Sequence, residues 1–333
     1  MTTAKTQKTK RSGTGAELER LVLDEAALAD LTARVRVHFE RHQPEPASFP
    51  AMASRVIDLA EHPDVDIGRL AHLVERDPAT CAAVLAVANS AANRRASAVL
   101  AVRTAISLLG LKRVANIAVG VACRTLFDVE LRVEHELFPG WWERLFHAAM
   151  TEAFTVSFVT MERGHNASEG IFLAGMLHNI GKSLALRSLA ALLIGGEVPG
   201  VPTDDAIEAI LQGNRVAVGV AALTTFNMPE SLVDLCRQQD DDQLSGASGL
   251  LDLHYVRIVS ELNALRMSRE KPELPLRLLI NSVRAVGLYF EDVLNIARQL
   301  SEHSQQVSLL FSSSDGANET GYLEFIQRCL VEA

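Results

Sequence analysis

The sequence predicts an all-α protein, and three observations lead to that fold class. Apolar residues recur at helical spacings of three and four along most of the chain. No segment alternates apolar and polar residues between hairpin turns, so no sheet is predicted. Hydrophobic residues make up 48% of the 333 residues, which is enough for a substantial core. The first clear helical series is Ile67, Leu70, Ala71 and Val74.

Several of the predicted helices carry residues that favour a helix end. Asp77 is the expected N-cap of the second helix in this region, and Pro78 follows at the first helical position, where a missing N–H costs nothing. Gly110 is suited to ending the helix that contains Ile106, because glycine tolerates a positive φ. Later helical series are Val114, Ile117, Ala118 and Val121, then Leu251, Tyr255, Ile258, Leu262 and Leu265, and finally Val293, Ile296, Ala297 and Leu300.

Charge and cysteine usage exclude several classes of protein. The net charge of −9 argues against a general nucleic-acid binder, since phosphate backbones attract a basic face. The four cysteines are far apart and form no C-x-x-C pair, which fits reduced thiols in a cytoplasm. No apolar run reaches the roughly 18–20 residues that span a bilayer. Residues 1–16 have no apolar secretion signal and are expected to be a disordered basic tail. We therefore expect a cytoplasmic protein that binds neither membrane nor nucleic acid.

Three segments, in this order, resemble the HDOD family, the HD-related output domains of bacterial signalling proteins. They are ASFPAMASRVIDLAEHPDVDIGRLAHLVERDPATCAAVLAVANSA (47–91), AVRTAISLLGLKRVANIAV (101–119) and FLAGMLHNIGK (172–182). The resemblance spans residues 45–265 and implies a helical bundle of two lobes, 45–130 and 131–265. The second lobe would be similar to HD-type metal phosphohydrolases. A helix and linker (17–44) would precede the two lobes, and helices in 266–333 would complete the second.

The same resemblance identifies positions at which an HD enzyme holds its metal ions. Such enzymes need imidazoles and anionic carboxylates, because divalent cations neutralise charge and lower the pKa of bound water. His147 matches the first histidine, and His178 matches the histidine of the His-Asp pair. The second member of that pair is Asn179, whose amide carries no charge. The remaining ligand positions align with Asn214, Gln238, Gln239 and Asn263.

Two imidazoles without a carboxylate make a poor site for a divalent cation. The main hypothesis is therefore a non-catalytic cytoplasmic regulatory protein that has a vestigial HD metal site, needs no cofactor and transmits signals through protein contacts. The buried His147, His178 and neighbouring amides would then form a metal-free hydrogen-bond network that joins helices. The expected partners are signalling proteins, and a homodimer is an open alternative.

Two other functions stay open at this point. One is a metal-dependent hydrolase of nucleotides or phosphoesters. The other is a sensor of a nucleotide, for example a cyclic dinucleotide, that binds in the vestigial pocket or close to Arg94 and Arg95. A basic patch fits a phosphate or an acidic partner, although basic residues are also common at solvated helix ends. The patch consists of Arg94, Arg95, Arg103, Lys112 and Arg113.

Overall fold

The computed structural model confirms the all-α fold class, since helices account for nearly all of the regular structure in the described part of the chain. Asp77 caps its helix by accepting a hydrogen bond from the backbone N–H of Thr80, and Gly110 has a φ of 85°, as the sequence predicts. The structure describes residues 5–7, 20–43, 49–60, 67–90, 98–128, 132–163, 170–241, 251–268, 273–311 and 320–332.

The chain divides into two compact units, and each is assembled from three separate stretches. Unit 1 comprises Met1–Pro46, Leu126–Trp142 and His178–Arg237, and unit 2 comprises Ala47–Thr125, Glu143–Leu177 and Gln238–Ala333. The domain boundaries expected from the sequence, after residues 16, 44, 130 and 265, stay predictions.

Unit 1 is built around two helices that pack side by side, α10 (Ile180–Ile194) and α11 (Asp204–Thr225), and α1 (Glu25–Arg41) packs against both. A Cβ added to Gly181 of α10 would lie 2.0 Å from the backbone oxygen of Arg215 on α11, so only glycine permits this close approach. The elements of unit 1 are β1 (Lys5–Gln7), β2 (Arg20–Val22), α1 (Glu25–Arg41), α7 (Arg132–Leu137), α10 (Ile180–Ile194), β3 (Val201–Pro202), α11 (Asp204–Thr225) and α12 (Glu230–Gln238).

Three short strands form a small sheet in unit 1, so the prediction that the chain contains no sheet is wrong here. β1 pairs antiparallel with β2, and β2 pairs parallel with β3. Strands of two or three residues are held by backbone hydrogen bonds and are too short to produce an alternating sequence pattern. Residues 5–7 were expected to be disordered with the rest of 1–16, but they pair with β2; the remainder of that segment lies outside the described residues.

Unit 2 contains two groups of helices, and one side chain of each donates a hydrogen bond to α8 (Trp141–Glu162): Asn116 to Ser157 and Asn263 to Glu152. In the first group, α6 (Leu111–Cys123) packs against α2 (Ala51–Ala60) and α4 (Pro78–Ala88). In the second group, α13 (Leu251–Ser268) packs against α14 (Glu273–Ala285), α15 (Phe290–Phe311) and α16 (Tyr322–Val331). The elements of unit 2 are α2 (Ala51–Ala60), α3 (Ile67–Glu75), α4 (Pro78–Ala88), α5 (Val102–Leu109), α6 (Leu111–Cys123), a 3₁₀ turn (Arg124–Leu126), most of α8 (Trp141–Glu162), α9 (Ile171–Leu177), α13 (Leu251–Ser268), α14 (Glu273–Ala285), α15 (Phe290–Phe311) and α16 (Tyr322–Val331).

One described helix, α11, has the length and mean hydropathy of a membrane span, with a value of 1.2 over its most apolar window. However, 56% of that window is buried inside the fold, as in the core helix of a soluble protein. α5 and the segment that follows it reach the same threshold only together, and they are bent by 117°. The burial of α11 is explained by its packing against α1 and α10.

Candidate functional site

The His-Asn pair lies at the turn between α9 and α10. His178 is 1% exposed, and its Nε2 accepts a hydrogen bond of 2.8 Å from Nδ2 of Asn179. The amide nitrogen can only donate, so Nε2 of His178 carries the lone pair in this contact. In HD-type metal sites an imidazole lone pair is what binds the cation. Here that lone pair is used by the side chain of the next residue.

The oxygen of the Asn179 amide faces a buried arginine, Arg215, which is not among the site residues expected from the sequence. Oδ1 of Asn179 accepts a long hydrogen bond, 3.5 Å, from Nη1 of Arg215, whose side chain is 5% exposed. The close approach of α10 and α11 at Gly181 and Gly219 brings Arg215 to this position. A single arginine within the apolar helical segment RVAVGVAAL is the signal that was available in the sequence.

Asn214, the residue before Arg215, points in another direction. Its Nδ2 donates to the carbonyls of Thr32 (3.1 Å) and Ile210 (3.0 Å), and its Oδ1 accepts from Nε of Arg36 at 3.3 Å. Consecutive residues of a helix face directions about 100° apart, so Asn214 joins α11 to α1 while Arg215 reaches Asn179. No hydrogen bond connects Asn214 with His178 or Asn179 in the described part of unit 1.

A cysteine completes this cluster. Sγ of Cys236, on α12, donates to the backbone carbonyl of His178 at 3.4 Å. Burial raises the pKa of the Cys236 thiol to about 12, although the charges of Arg215 and Arg237 act in the opposite direction. The thiol is therefore protonated at neutral pH and acts as a hydrogen-bond donor. We call His178, Asn179, Arg215 and Cys236 the turn cluster.

His147, the first expected ligand, belongs to unit 2 and is fully buried on α8. Its Nε2 lies 3.1 Å from the carbonyl of Ser304 and 2.9 Å from Oγ of Ser308. A carbonyl can only accept, so Nε2 carries the proton, and Nδ1 accepts from Oγ1 of Thr151 at 3.4 Å. Both ring nitrogens thus have protein partners, and two of these partners come from α15 in the C-terminal part of the chain.

Asn263 is also in unit 2, where it connects a buried carboxylate to a buried guanidinium. Its Nδ2 donates to Oε1 of Glu152 at 2.6 Å, and its Oδ1 accepts from Nη2 (2.9 Å) and Nε (3.1 Å) of Arg266. Arg266 is 0% exposed and Glu152 is 5% exposed. Neither charged residue occupies one of the aligned ligand positions, so the family resemblance did not predict their roles. The charges of Glu152 and Arg266 offset each other through the amide between them.

Gln238 and Gln239, at the next two expected ligand positions, differ in the part of the residue that lies inside the fold. The backbone carbonyl of Gln238 accepts a hydrogen bond of 2.7 Å from Nη2 of Arg257, and the side chain of Gln239 is buried. His178, Asn179 and Asn214 belong to unit 1, whereas His147, Gln238, Gln239 and Asn263 belong to unit 2. The idea that all seven residues line one vestigial pocket stays a prediction.

The residues at the expected metal positions do not fit the divalent cations of an HD enzyme. Nε2 of His178 is occupied by Asn179, the expected aspartate is an amide, and a guanidinium lies beside that amide. Within the described ranges, no three His, Cys, Asp or Glu side chains are grouped so that they could hold a metal ion. The positive charge close to the His178–Asn179 pair is the guanidinium of Arg215.

The basic patch is described only in part. Arg94 and Arg95 lie outside the described residues. Arg103 on α5 and Lys112 on α6 are exposed, whereas Arg113 on α6 is half-buried. Burial lowers the pKa of the Arg113 guanidinium. Arg113 thus differs from the exposed basic residues around it.

Comparison with known proteins adds the following findings. The HDOD domain family profile matches residues 47–242. A search of curated proteins finds no significant match. A candidate metal-dependent phosphohydrolase from Shewanella amazonensis has a TM-score of 0.61 at 19% identity, covering 83% of this chain and 99% of its own.

Two further solved structures are similar. An HDOD domain protein of unknown function from Geobacter sulfurreducens has a TM-score of 0.61 at 19% identity, covering 85% of this chain and 99% of its own. A candidate signal transduction protein from Marinobacter aquaeolei has a TM-score of 0.54 at 18% identity, covering 92% of this chain and 69% of its own. At these identities the likeness concerns the fold.

Proposed function

Because the chain belongs to the HDOD domain family, we propose that it is a cytoplasmic signal-transduction protein that acts through contacts with other signalling proteins and hydrolyses no phosphoester. The observation that carries this proposal is the Asn179 amide, which donates to Nε2 of His178 and accepts from Arg215. The name of the Marinobacter aquaeolei neighbour, a candidate signal transduction protein, supports the signalling half.

The surroundings of His178 support the proposal that the chain hydrolyses no phosphoester. A metal-dependent phosphohydrolase needs cations that bind the phosphate and lower the pKa of a bound water. A cation at His178 would have to displace the Asn179 amide from Nε2, and residue 179 would supply no carboxylate in exchange. The guanidinium of Arg215 would also repel it, by about 4 kcal/mol per unit of cation charge at a separation of about 4 Å and an effective dielectric constant of about 20.

The turn cluster has a structural use that needs no metal. It joins the α9–α10 turn to α11 through Arg215 and to α12 through Cys236. Buried polar groups cost roughly 1–3 kcal/mol when they lose their partners, so the cluster favours one arrangement of these three elements. We propose that this fixed arrangement of helices is what the protein presents to its partner.

The alternative function is metal-dependent phosphohydrolysis, the activity named for the Shewanella amazonensis neighbour. It would require the Asn179 amide to leave His178 and the Arg215 side chain to withdraw. The buried Glu152 carboxylate accepts a hydrogen bond from an expected ligand position, Asn263, but Arg266 shares that amide.

A hydrolysis panel separates the two functions. The full chain, supplied with Mn²⁺, Fe²⁺ or Mg²⁺, is assayed against bis(p-nitrophenyl) phosphate and a set of nucleotides. We expect no turnover above the protein-free rate. Turnover by the native chain that disappears in Asn179→Ala would refute the proposal, because it would assign chemistry to the amide position.

Two variants form a matched pair for a measurement of Mn²⁺ affinity by titration calorimetry. Asn179→Asp places a carboxylate against Arg215, and we expect an internal ion pair without metal binding. Asn179→Asp combined with Arg215→Gln removes the competing cation, and we expect this double variant to bind Mn²⁺ more tightly than either parent. Equal Mn²⁺ affinity in all three proteins would contradict the role given to Arg215.

The signalling half is tested separately by affinity purification of the tagged full chain from its native cell. We expect enrichment of a receiver, kinase or cyclic-nucleotide enzyme. Recovery of none of these classes from cells in which the pathway is active would contradict it.

A further inference from the structure

The helix α14 is buried on one side and has a second flank on which no described helix packs closely. Its buried residues are Leu278, Leu279 and Ser282, and Oγ of Ser282 lies 3.2 Å from Nδ1 of His254 on α13. Within the described ranges, α13 is the one helix that packs closely against α14. The second flank of α14 is therefore available to a helix from outside this part of the chain.

Three apolar residues follow this flank at the spacing of a coiled-coil seam. Leu276, Ile280 and Val283 are separated by steps of four and three residues, which places them on one line along the helix. At 3.6 residues per turn, this line lies about 120° around the helix axis from the buried side. Each of the three side chains is only half-buried. Residues at this spacing pack between the side chains of a second helix, and we call these three the α14 seam.

Opposite charges lie at the two ends of the α14 seam. Glu273 is the first residue of α14 and Arg284 lies in its last turn, and both side chains are exposed. Neither residue forms an ion pair within the described part of the chain. Glu273 precedes Leu276 by three residues and Arg284 follows Val283 directly, so both charges border the seam. A helix that covers the seam is therefore expected to place a positive charge beside Glu273 and a negative charge beside Arg284.

A second copy of α14 that runs in the opposite direction supplies both charges. Around a two-fold axis beside Ile280, Leu276 of each copy faces Val283 of the other. Glu273 is seven residues before Ile280, and Arg284 is four residues after it. The difference of three residues is about 4.5 Å along the helix, which an arginine side chain spans. A parallel pair would instead set like charges against each other at both ends, so the charges favour the antiparallel pair.

We propose that the α14 seam is a homodimer interface in which two copies of the chain pair their α14 helices antiparallel about Ile280. Because the axis is two-fold, the interface contains two contacts between Glu273 and Arg284, one at each end. A second copy of the chain is a partner beyond the signalling proteins of the proposed function. α14 lies in unit 2 and the turn cluster lies in unit 1, so failure of the dimer leaves the proposed function intact, and the reverse also holds.

The size of the interface determines the concentration at which the dimer forms. α14 has 13 residues, and one pair of such helices buries less than the roughly 1,600 Å² of a standard protein interface. We therefore expect a reversible dimer with a dissociation constant on the order of 10 μM. Sedimentation velocity of the full chain, from about 1 μM to about 300 μM, measures this equilibrium. A chain that stays monomeric over the whole range would overturn the proposal, and the seam would then be left to a different protein.

Ile280→Glu tests the centre of the seam in the same experiment. This variant places two carboxylates against each other at the two-fold axis, and we expect the dissociation constant of the dimer to rise at least about a hundredfold. The control is Leu309→Glu, because Leu309 is an apolar residue of α15 that is 81% exposed and lies outside the seam. A dimer of Ile280→Glu as tight as that of the native chain would overturn the proposal. Equal weakening by the two variants would do the same, since it would indicate non-specific association of exposed apolar residues.

Exchange of the two charges tests the antiparallel pairing at exposed positions, where substitutions leave the fold in place. Glu273→Arg alone and Arg284→Glu alone each set like charges together at both ends of the interface, and we expect each to weaken the dimer about tenfold. Glu273→Arg combined with Arg284→Glu restores opposite charges, and we expect its dissociation constant to return to within about threefold of the native value. A combined variant that is weaker than either single variant would refute the antiparallel pairing.

Discussion

The buried histidine of α15 makes folding stability depend on pH in a direction that the structure fixes. His303 has a pKa of about 4 in the folded chain, against 6.5 for an ordinary histidine, mainly because burial disfavours the charged ring. Between these two values the unfolded chain binds a proton that the folded chain does not. The contribution of the neutral His303 ring to the free energy of unfolding is therefore fully present above pH 6.5, and it is lost as the pH falls towards 4. His303 alone accounts for a loss of about 2 kcal/mol at pH 5 and about 3 kcal/mol at pH 4.

Urea unfolding of the native chain and of His303→Gln, at several pH values between 7.5 and 4.5, measures this contribution. The free energy of unfolding of His303→Gln should fall less steeply with decreasing pH, and the difference between the two curves should grow below pH 6.5. His72→Gln removes an exposed histidine of the same unit and should leave the native slope in place. Parallel curves for the native chain and His303→Gln would refute the buried, neutral imidazole on which this reasoning rests.

Two further predictions concern stability. Gly181→Ala should lower the free energy of unfolding by more than about 2 kcal/mol, because the new Cβ would lie 2.0 Å from the Arg215 backbone oxygen. The control is Gly170→Ala, whose Cβ would meet nothing within 4 Å. Equal melting temperatures of the two variants would contradict the close packing of α10 on α11. Arg266→Met should cost about 3 kcal/mol, since it leaves the buried Glu152 carboxylate without its offsetting charge; an unfolding midpoint equal to that of the native chain would refute this.

Local sequence signals predicted the fold class and several helix ends. The three- and four-residue spacing of apolar residues, together with Asp77 and Pro78, depends on interactions within one helix. The small sheet was not predictable in this way, because β2 and β3 pair residues that are far apart in the chain. Strands of two or three residues are also too short to show an alternating pattern of side chains.

The site was only partly predictable, for a different reason. The His178–Asn179 pair could be recognised, because its two residues are adjacent and follow an apolar segment. The sequence did not show whether Asn214 or Arg215 contacts Asn179, because the two residues differ by one helical position. The close packing of α10 on α11 brings Arg215 to Asn179. Glu152 and His303 were missed because their partners, Asn263 and Thr155, lie more than a hundred residues away.

The central claim is that Nε2 of His178 accepts a hydrogen bond from the Asn179 amide and therefore binds no metal ion. Elemental analysis tests this claim most directly. The full chain is purified from cells grown with Mn, Fe and Zn, without chelator, and its metal content is measured per chain. The account predicts no stoichiometric metal, in the native chain and in His178→Ala alike. One or two equivalents of Mn, Fe or Zn in the native chain, lost in His178→Ala, would contradict it.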